Sequence, residues 1–598
     1  MPEAVIAAVA AVSTAAAEAG SLLAATSMGS LSVGTGLFSS VSLGSLTSSL
    51  ASVGVSYALN RMLTPHSTSP AQPGQVVTNQ AVSARMRHYG RVQVGGTIVF
   101  RQSKGVYLWQ VQAHAQGPID AYENFVLGTY GVTIDGSGAV TNTYDMNPAA
   151  TPVYNSLYNA WVKIKAYTGT KVQASDPDLQ SDFTYWTSAH RLTGIAYCAI
   201  RFTAPPSQYF RSVFASGAPT LRVRLRGARV YDPRYGTQNP DDDCDAPATW
   251  SWSSNGPMCV LDFLRHPDGY WKSQPSSRAM APLDLFDLAS FVKAANDCDQ
   301  VVPSKSGGDR KLFETHVSYS LQEDSATVLR RMLATFDGEI YQNADGKIGI
   351  RAGVPQSTTV ALDGNHIIGI ANLAMGTDET QKADQVKAFF TDPRQDYQQV
   401  EAPTWYAPDR KTSWSETVDL QGVQSAHSAQ RLAKRFWYLT NPLWSCTLTT
   451  TLAGLKLIGE SRVYIDLTAE INVVGYWRIT SWRLNADGAT CTIGVVFWPP
   501  ESDAWDVGSE ERDQPPIPPP TGIATVGYVP VSTPAMVASG GSETNTNYRV
   551  VTVYISGGSA VTVFVNGVNT GAAGGTFVLN PSDTIALTYS SAPSWTWS

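Results

Sequence analysis

A multidomain, mainly β fold with α+β parts is what this sequence predicts, and three observations carry the prediction. The chain has 598 residues, too many for one hydrophobic core and enough for about three to five domains. Short stretches of alternating apolar and polar residues recur between Gly- and Pro-containing turns, which is the period of half-buried strands. One compact region, residues 258–350, departs from that period: it carries helical apolar stripes and then a hairpin turn.

Within that region, Met258–Leu264 is apolar apart from Asp262, and His266-Pro267-Asp268-Gly269 stops it. Asp284 stands where a carboxylate can cap a helix. Leu285, Leu288, Ala289, Val292 and Ala295 follow at helical spacing, and Pro303 and Gly307-Gly308 lie beyond the end. A second helix is expected from Ser320, with Glu323 at capping-box spacing. Its stripe is Val328, Leu329, Met332 and Phe336, and Gly338 ends it. Glu339–Gln342 and Lys347–Ile350 then flank an Asp345-Gly346 turn, a hairpin signal.

Charge excludes one class of function. Lys and Arg total 42 against 49 Asp and Glu, a net charge of -7, and charged residues make up only 15%. With no long basic run, phosphate-neutralising nucleic-acid binding is excluded as the main role. A mildly acidic wall suits a conduit that DNA passes without sticking; it equally suits an ordinary soluble protein. Abundant Gly, Ser, Thr, Tyr and Trp fit strand-rich domains with large subunit interfaces. The six cysteines, at 198, 244, 259, 298, 446 and 491, form no CxxC pair. Zinc-site spacing is therefore lacking, and assembly in a reducing cell interior is the default.

Six segments follow in chain order. Residues 1–66 are small and weakly apolar, with no charge from Ala19 to Asn60. They lack the basic start of a secretory signal and the continuous apolar run of a membrane span. Leu31, Leu37, Phe38, Leu43 and Leu46 are the candidate lumenal or membrane contacts of this segment, which reads as a channel plug, a membrane-active piece or a flexible tail. Residues 67–235 read as a first β domain with an inserted subregion around 128–210. Val92, Val94, Ile98 and Phe100 alternate across Gly95-Gly96 there. Arg222, Arg224 and Arg226 line one strand face, to meet phosphate, solvent or another subunit. Residues 236–355 hold the helix–helix–hairpin unit. Their Asp241–Asp245 run lacks calcium-loop spacing and reads as an exposed loop. Residues 356–500 read as a second β domain with one helix over Ser425–Leu439. An acidic, Pro-rich linker spans 501–520. Residues 521–598 form a small all-β module with a hairpin at Asn566-Gly567. Its aromatics Tyr554, Tyr589, Trp595 and Trp597 are candidate receptor contacts, stacking on sugars at a cell surface, or else they close the module's core or a trimer seam.

The wording of 258–350 resembles the tail-tip attachment protein family of lambda-like phages, the J-like central hub. CVLDFLRHPDGY, AANDCDQVVP and ATFDGEIYQNADGKIGI stand in the family's order and spacing, and the resemblance extends more weakly over residues 80–500. The motif positions are Asp262, Pro267, Gly269, Cys298, Asp299, Pro303, Phe336 and Gly338. A "GPID" turn and a "VYDPR" ending resemble the family's first domain; Ala121 departs from it. The 425–439 helix resembles the start of its second tube-type domain, where the usual PGD turn is replaced by Ile458–Ser461.

The resemblance implies tail-tube-like β-barrel hub domains, an α+β bracing domain and a homotrimer whose barrels make a pseudo-sixfold ring. It implies a virion location at the distal end of the tail, after assembly in the host cytoplasm. Implied partners are distal tail and tail-tube proteins, the tape-measure protein, tail fibres or spikes, and a host envelope receptor. DNA would pass through without specific binding.

No HExxH, GxSxG or GxxxxGK[ST] pattern occurs. The expectation is no catalytic residue, no cofactor, no metal and no enzyme activity. The alternative is a virion-borne or secreted glycan hydrolase with the C-terminal module as its carbohydrate-binding part.

Overall fold

A computed structural model gives the structure. It describes residues 84–146, 158, 161–205, 213–214, 217–271, 279–305, 307–343, 345–356, 358, 360–376, 382–408, 414–485, 489–517, 533–545, 551–580 and 583–597. The whole 1–66 segment, with Leu31, Leu37, Phe38, Leu43 and Leu46, lies outside the described residues. The fold is mainly β, with helices gathered in the middle of the chain.

The first β body is two antiparallel sheets. One runs, in spatial order, Arg91–Val94, Leu221–Arg226, Ala121–Leu127, Tyr130–Ile134 and Val140–Asp145; the other runs Thr97–Lys104, Tyr107–Gln116, Ile195–Thr203 and Val162–Thr168. Val92, Phe125, Leu127, Val223 and Leu225 of the first meet Ile164, Cys198, Ile200 and Phe202 of the second in one core. Gly95-Gly96 is the corner where the chain leaves one sheet for the other. Gly96 has φ +74°, and a Cβ there would lie 2.4 Å from the Ala113 carbonyl oxygen, so only glycine turns this corner. The outer face of the second sheet is covered too. Helix α1 (Pro177–Asp182), capped by Asp176, carries Leu179 onto Trp109, Val111 and Tyr197, with Phe183 and Trp186 beside it.

The middle of the molecule is built around α2 (Gly256–Arg265), all ten of whose residues are buried. Around it pack α3 (Leu288–Cys298), α4 (Ser325–Ala334), the Glu339–Gln342/Ile348–Arg351 hairpin, and a two-stranded ladder of Met86–Tyr89 with Val317–Ser320. The caps differ from those expected. Asp287, not Asp284, caps α3 by accepting from Ser290 N. Asp324, not Ser320, caps α4, accepting from Thr327 N at 2.8 Å. Ser320 is held in the ladder opposite Met86, which denies it the cap position. At the end of α4 the left-handed residue is Asp337, φ +49°, rather than Gly338. Gly338 is required for another reason: a Cβ there would sit 2.2 Å from the Phe336 ring.

The expected boundary at 355/356 is crossed. A mixed sheet of Gln398–Glu401, Gln385–Asp392, Trp405–Tyr406 and Ser415–Leu420, with α5 (Ala426–Thr440), shares the core of the helical unit. Ala361–Leu362, Ile367–Met375, Trp444–Thr450, Arg462–Leu467, Val473–Leu484 and Cys491–Phe497 form a separate six-stranded sheet. Its two edges, Ala361–Leu362 and Ile367–Met375, are joined by residues 363–366 alone. A flat sheet of six strands would hold its edges about 24 Å apart, and five peptide steps reach at most about 18 Å. The sheet therefore curls as a half-barrel around Leu448, Val463, Ile465, Trp477 and Ile493.

The C-terminal module has two facing sheets. One is ordered Gly575–Leu579, Val551–Ser556, Ser594–Trp597; the other is Ser542–Thr544, Thr584–Thr588, Thr562–Val565, Val568–Asn569. All six cysteines are buried and none is in a disulfide.

Candidate functional site

Charged side chains converge where the helical unit, α5 and the half-barrel meet. Arg435 on α5 binds Asp337 through Nε at 2.8 Å and Asp503 through Nη1. Arg462 binds Asp503 at 2.7 Å, and Arg478 binds Glu339 and lies 3.7 Å from Asp337. Arg462 and Arg478 are direct cross-strand partners, a like-charge pairing that costs stability unless acids intervene. Three do, so three guanidinium groups face three carboxylates. The fully buried Trp498 ring lies among them, 5.2 to 5.8 Å from each guanidinium, and its indole N–H donates to Asp503 at 3.2 Å. Cation–π attraction and ion pairing thus act on the same three arginines.

Residues 501–517, expected to be part of a linker, run instead as a strap over α5. Gln430 Nε2 donates to the Arg512 carbonyl at 3.1 Å, and its Oε1 accepts from Arg512 N at 2.9 Å. Lys434 binds Glu510 and the Ala504 carbonyl, and Arg394 donates to the Pro515 carbonyl. Glu511 is buried, accepting from Lys305 N at 3.0 Å, from Ser304 Oγ at 3.1 Å, and pairing with His427 Nδ1 at 2.5 Å. Burial pushes the His427 pKa down, reinforced by Arg431. Burial opposes the charge on Glu511, yet its hydrogen bonds and His427 hold it below the usual carboxylate range.

A second joint ties strand Met86–Tyr89 to α2. Arg87 Nη2 lies 2.9 Å from Asp262 Oδ2, and the Tyr89 hydroxyl donates to the same oxygen at 2.6 Å; all three are buried. A third involves the arginine row, which meets neither phosphate nor solvent alone. Arg222 pairs with Asp396, Arg224 stacks 5.0 Å from the Tyr397 ring, and Arg226 pairs with Asp120 while facing Trp252. Asp396 and Tyr397 both adopt left-handed backbone, φ +55° and +57°, a strained pair held by these contacts.

The motif positions are packing and joint residues. Asp262 holds Arg87. Gly269 leaves room for the Phe263 carbonyl, 2.2 Å from where a Cβ would sit. Asp299 pairs with Arg234 and Lys311, each near 2.8 Å. Cys298 and Phe336 are core, and Pro303 ends a short strand, Val301–Pro303. His266-Pro267 follows α2, with His266 as its C-cap. Trp595 and Trp597, read as candidate receptor contacts, are 7% and 3% exposed and form the module's core, ring centroids 5.6 Å apart. Tyr589 donates its hydroxyl to the Val537 carbonyl. Of the four aromatics only Tyr554 is well exposed, at 49%.

Asp241–Asp245 is not simply an exposed loop. Cys244, Asp245 and His266 are buried with potential ligand atoms within 4.8 Å of one another. His266 Nδ1 accepts from Asp268 N at 3.0 Å, so the neutral ring carries its proton on Nε2. A metal bound at Nε2 would take the place of that proton and leave the Asp268 contact intact. Among the described residues no helix is long and apolar enough to cross a membrane.

Trp498, Asp503, Glu511 and Arg87 were not singled out in the sequence. One local signal was present for the first two: a Trp-Pro-Pro run opening an acidic stretch directly after a strand.

No family model matches this sequence, and no curated protein matches it. Among solved structures, a chain from the virion of a native gene transfer agent particle is similar at TM-score 0.50 and 13% identity, over 76% of this chain and 93% of that one. A 43 kDa tail protein of prophage MuSo2 from Shewanella oneidensis aligns at TM-score 0.23 and 9% identity, over 69% of this chain and 97% of its own. The prophage tail protein gp18 from Listeria monocytogenes EGD-e aligns at TM-score 0.22 and 8% identity, over 63% and 88%. The last two add nothing to the fold argument. The first establishes a shared fold: over 76% of its length this chain is built like a chain of that virion particle.

Proposed function

We propose that this chain is a structural virion protein of a phage-type tail, a homotrimeric hub at the distal tip. It closes the tail tube, adapts a sixfold tube to a threefold tip and opens for DNA during attachment. The supporting observation is the fold shared with a chain of a virion particle, which covers 93% of that chain. Two β bodies joined through one helical unit suit such an adaptor. The half-barrel adds a second support. Ile368, Leu373 and Met375 on its edge strand and Tyr464, Val474 and Tyr476 on its face are exposed, Met375 by 74%, an apolar surface that ring closure would cover. In this reading DNA and the tape-measure protein pass through the ring without specific binding. Tail-tube proteins lie above, fibres or spikes beside it, and the C-terminal module faces the host envelope. The role is non-catalytic.

The test is the mass of the purified chain in solution with averaged electron images of the same sample. A threefold ring with a central hole is expected. A chain that stays monomeric even when mixed with its tail tube overturns the reading. So does hydrolysis of host cell wall by the purified chain in a zymogram.

A further inference from the structure

The outward face of the Gly575–Leu579, Val551–Ser556, Ser594–Trp597 sheet has a composition of its own. Tyr554 stands on the central strand, directly opposite Thr576 on one side and Thr596 on the other. Ser556 and Ser594 are paired in the next row, and Val578 points the same way. All six are exposed. Their inward neighbours Val553, Ile555, Trp595 and Trp597 are core, so the face rests on a rigid floor. The three strands make a platform about 10 Å across, with one aromatic ring at its centre. The side chains of Tyr554, Ser556, Thr576, Ser594 and Thr596, each with a hydroxyl, are open to solvent.

Charge narrows the ligand class. The described residues of the module contain no Lys or Arg, and their only acids are Glu543 and Asp583. Asp583 is engaged by Asn566 and Asn580, and Glu543 lies on the other sheet. The module's one basic residue, Arg549, lies outside the described residues; among the described residues of this face an anionic or cationic polymer finds no counter-charge, and an apolar partner finds too many hydroxyls. A neutral carbohydrate meets both requirements: its C–H face stacks on an aromatic ring, and its hydroxyls exchange hydrogen bonds with Thr and Ser.

The geometry points to a binding site for neutral polysaccharide on this face, with Tyr554 as the stacking platform and Thr576 and Thr596 as its polar flanks. It rests on the hub reading for its direction, toward the host surface. The experiment is affinity electrophoresis of the full chain through gels containing dextran, mannan or a neutral galactan, with alginate as the charged comparison. Retardation by at least one neutral polysaccharide is expected, unaffected by high salt. Tyr554→Ala should weaken it roughly tenfold or more, and Tyr554→Trp should retain it. The Thr576→Ala/Thr596→Ala pair should weaken it with the far-UV circular dichroism unchanged. Retardation by no neutral polysaccharide, retardation by alginate alone, or equal retardation of Tyr554→Ala would overturn the assignment. Weighing the same preparation separates the two ideas. A trimer without retardation removes the carbohydrate site and leaves the hub, whereas a monomer on its tube that is still retarded removes the hub alone.

Discussion

Asp262 shows most directly what single residues contribute. Its carboxylate is surrounded by apolar side chains of α2 and meets Arg87 and Tyr89 from a strand 173 to 175 residues earlier in the chain. Removing one partner of a buried pair strands the other charge, at a cost of about 3–5 kcal/mol. Asp262→Asn should therefore lower the unfolding free energy of the middle unit, read from urea titration, by that order, and Arg87→Met combined with Asp262→Leu should recover much of the loss. Buried histidines set an acid limit. Burial lowers the pKa of His88 to about 4, of His114 to about 3 and of His316 to about 4. His88 donates through Nε2 to the His114 carbonyl and accepts at Nδ1 from Ser318, so its neutral form is the one the fold uses. Because the unfolded chain protonates these rings near pH 6.5 and the folded chain does not, stability falls as pH drops from 6.5 toward 4. The slope is up to about 1.4 kcal/mol per pH unit for each ring. Equilibrium unfolding at stepped pH measures it, and a flat profile would contradict the burial. Pairs such as Arg87–Asp262 leave no local trace in a sequence, because their spacing carries no period.

At the scale of elements, caps and covers separate what could be read from what could not. Alternation located the Leu221–Arg226 strand, because period two follows directly from one buried face. Cap positions slipped by three or four residues, because Asp284 and Ser320 satisfy the same local preference as Asp287 and Asp324. Only the ladder with Met86–Tyr89 and the path of the chain decide between them. Asp287→Ala and Asp324→Ala should each cost about 1 kcal/mol, and Asp284→Ala, at an exposed position, close to nothing; thermal melts of the three variants check this. The strap over α5 was hidden for a related reason. Proline and acid content signal an extended path, and they do not say whether that path lies on a surface. Glu511 makes the difference, through Ser304, Lys305 and His427.

For the whole molecule, the mainly β character, the helical core and the all-β end module could be inferred from composition and period, whereas the division of the first β body into two sheets could not. The sharing of one core by the mixed sheet and the helical unit could not, since it depends on contacts across the 355/356 boundary. The exposed apolar surface of the half-barrel belongs to this scale. If it is the seam between copies, Met375→Asp with Val474→Asp should reduce the solution mass from three chains to one. The folded monomer should be kept, since both side chains are already in water. An unchanged mass by light scattering would place the seam elsewhere.

The buried cysteines bear on how long such a particle lasts. Thiolates are the species that oxidants attack, and burial drives the thiol pKa of Cys198, Cys259 and Cys298 upward and that of Cys446 to about 12. If the chain is made among reduced thiols and then carried into air, it needs no protective chemistry: its sulfur is shelved inside the fold. Ageing in storage should then leave the free-thiol count of the native protein at six, and a single engineered surface cysteine would be the one reactive handle for following how the chain moves.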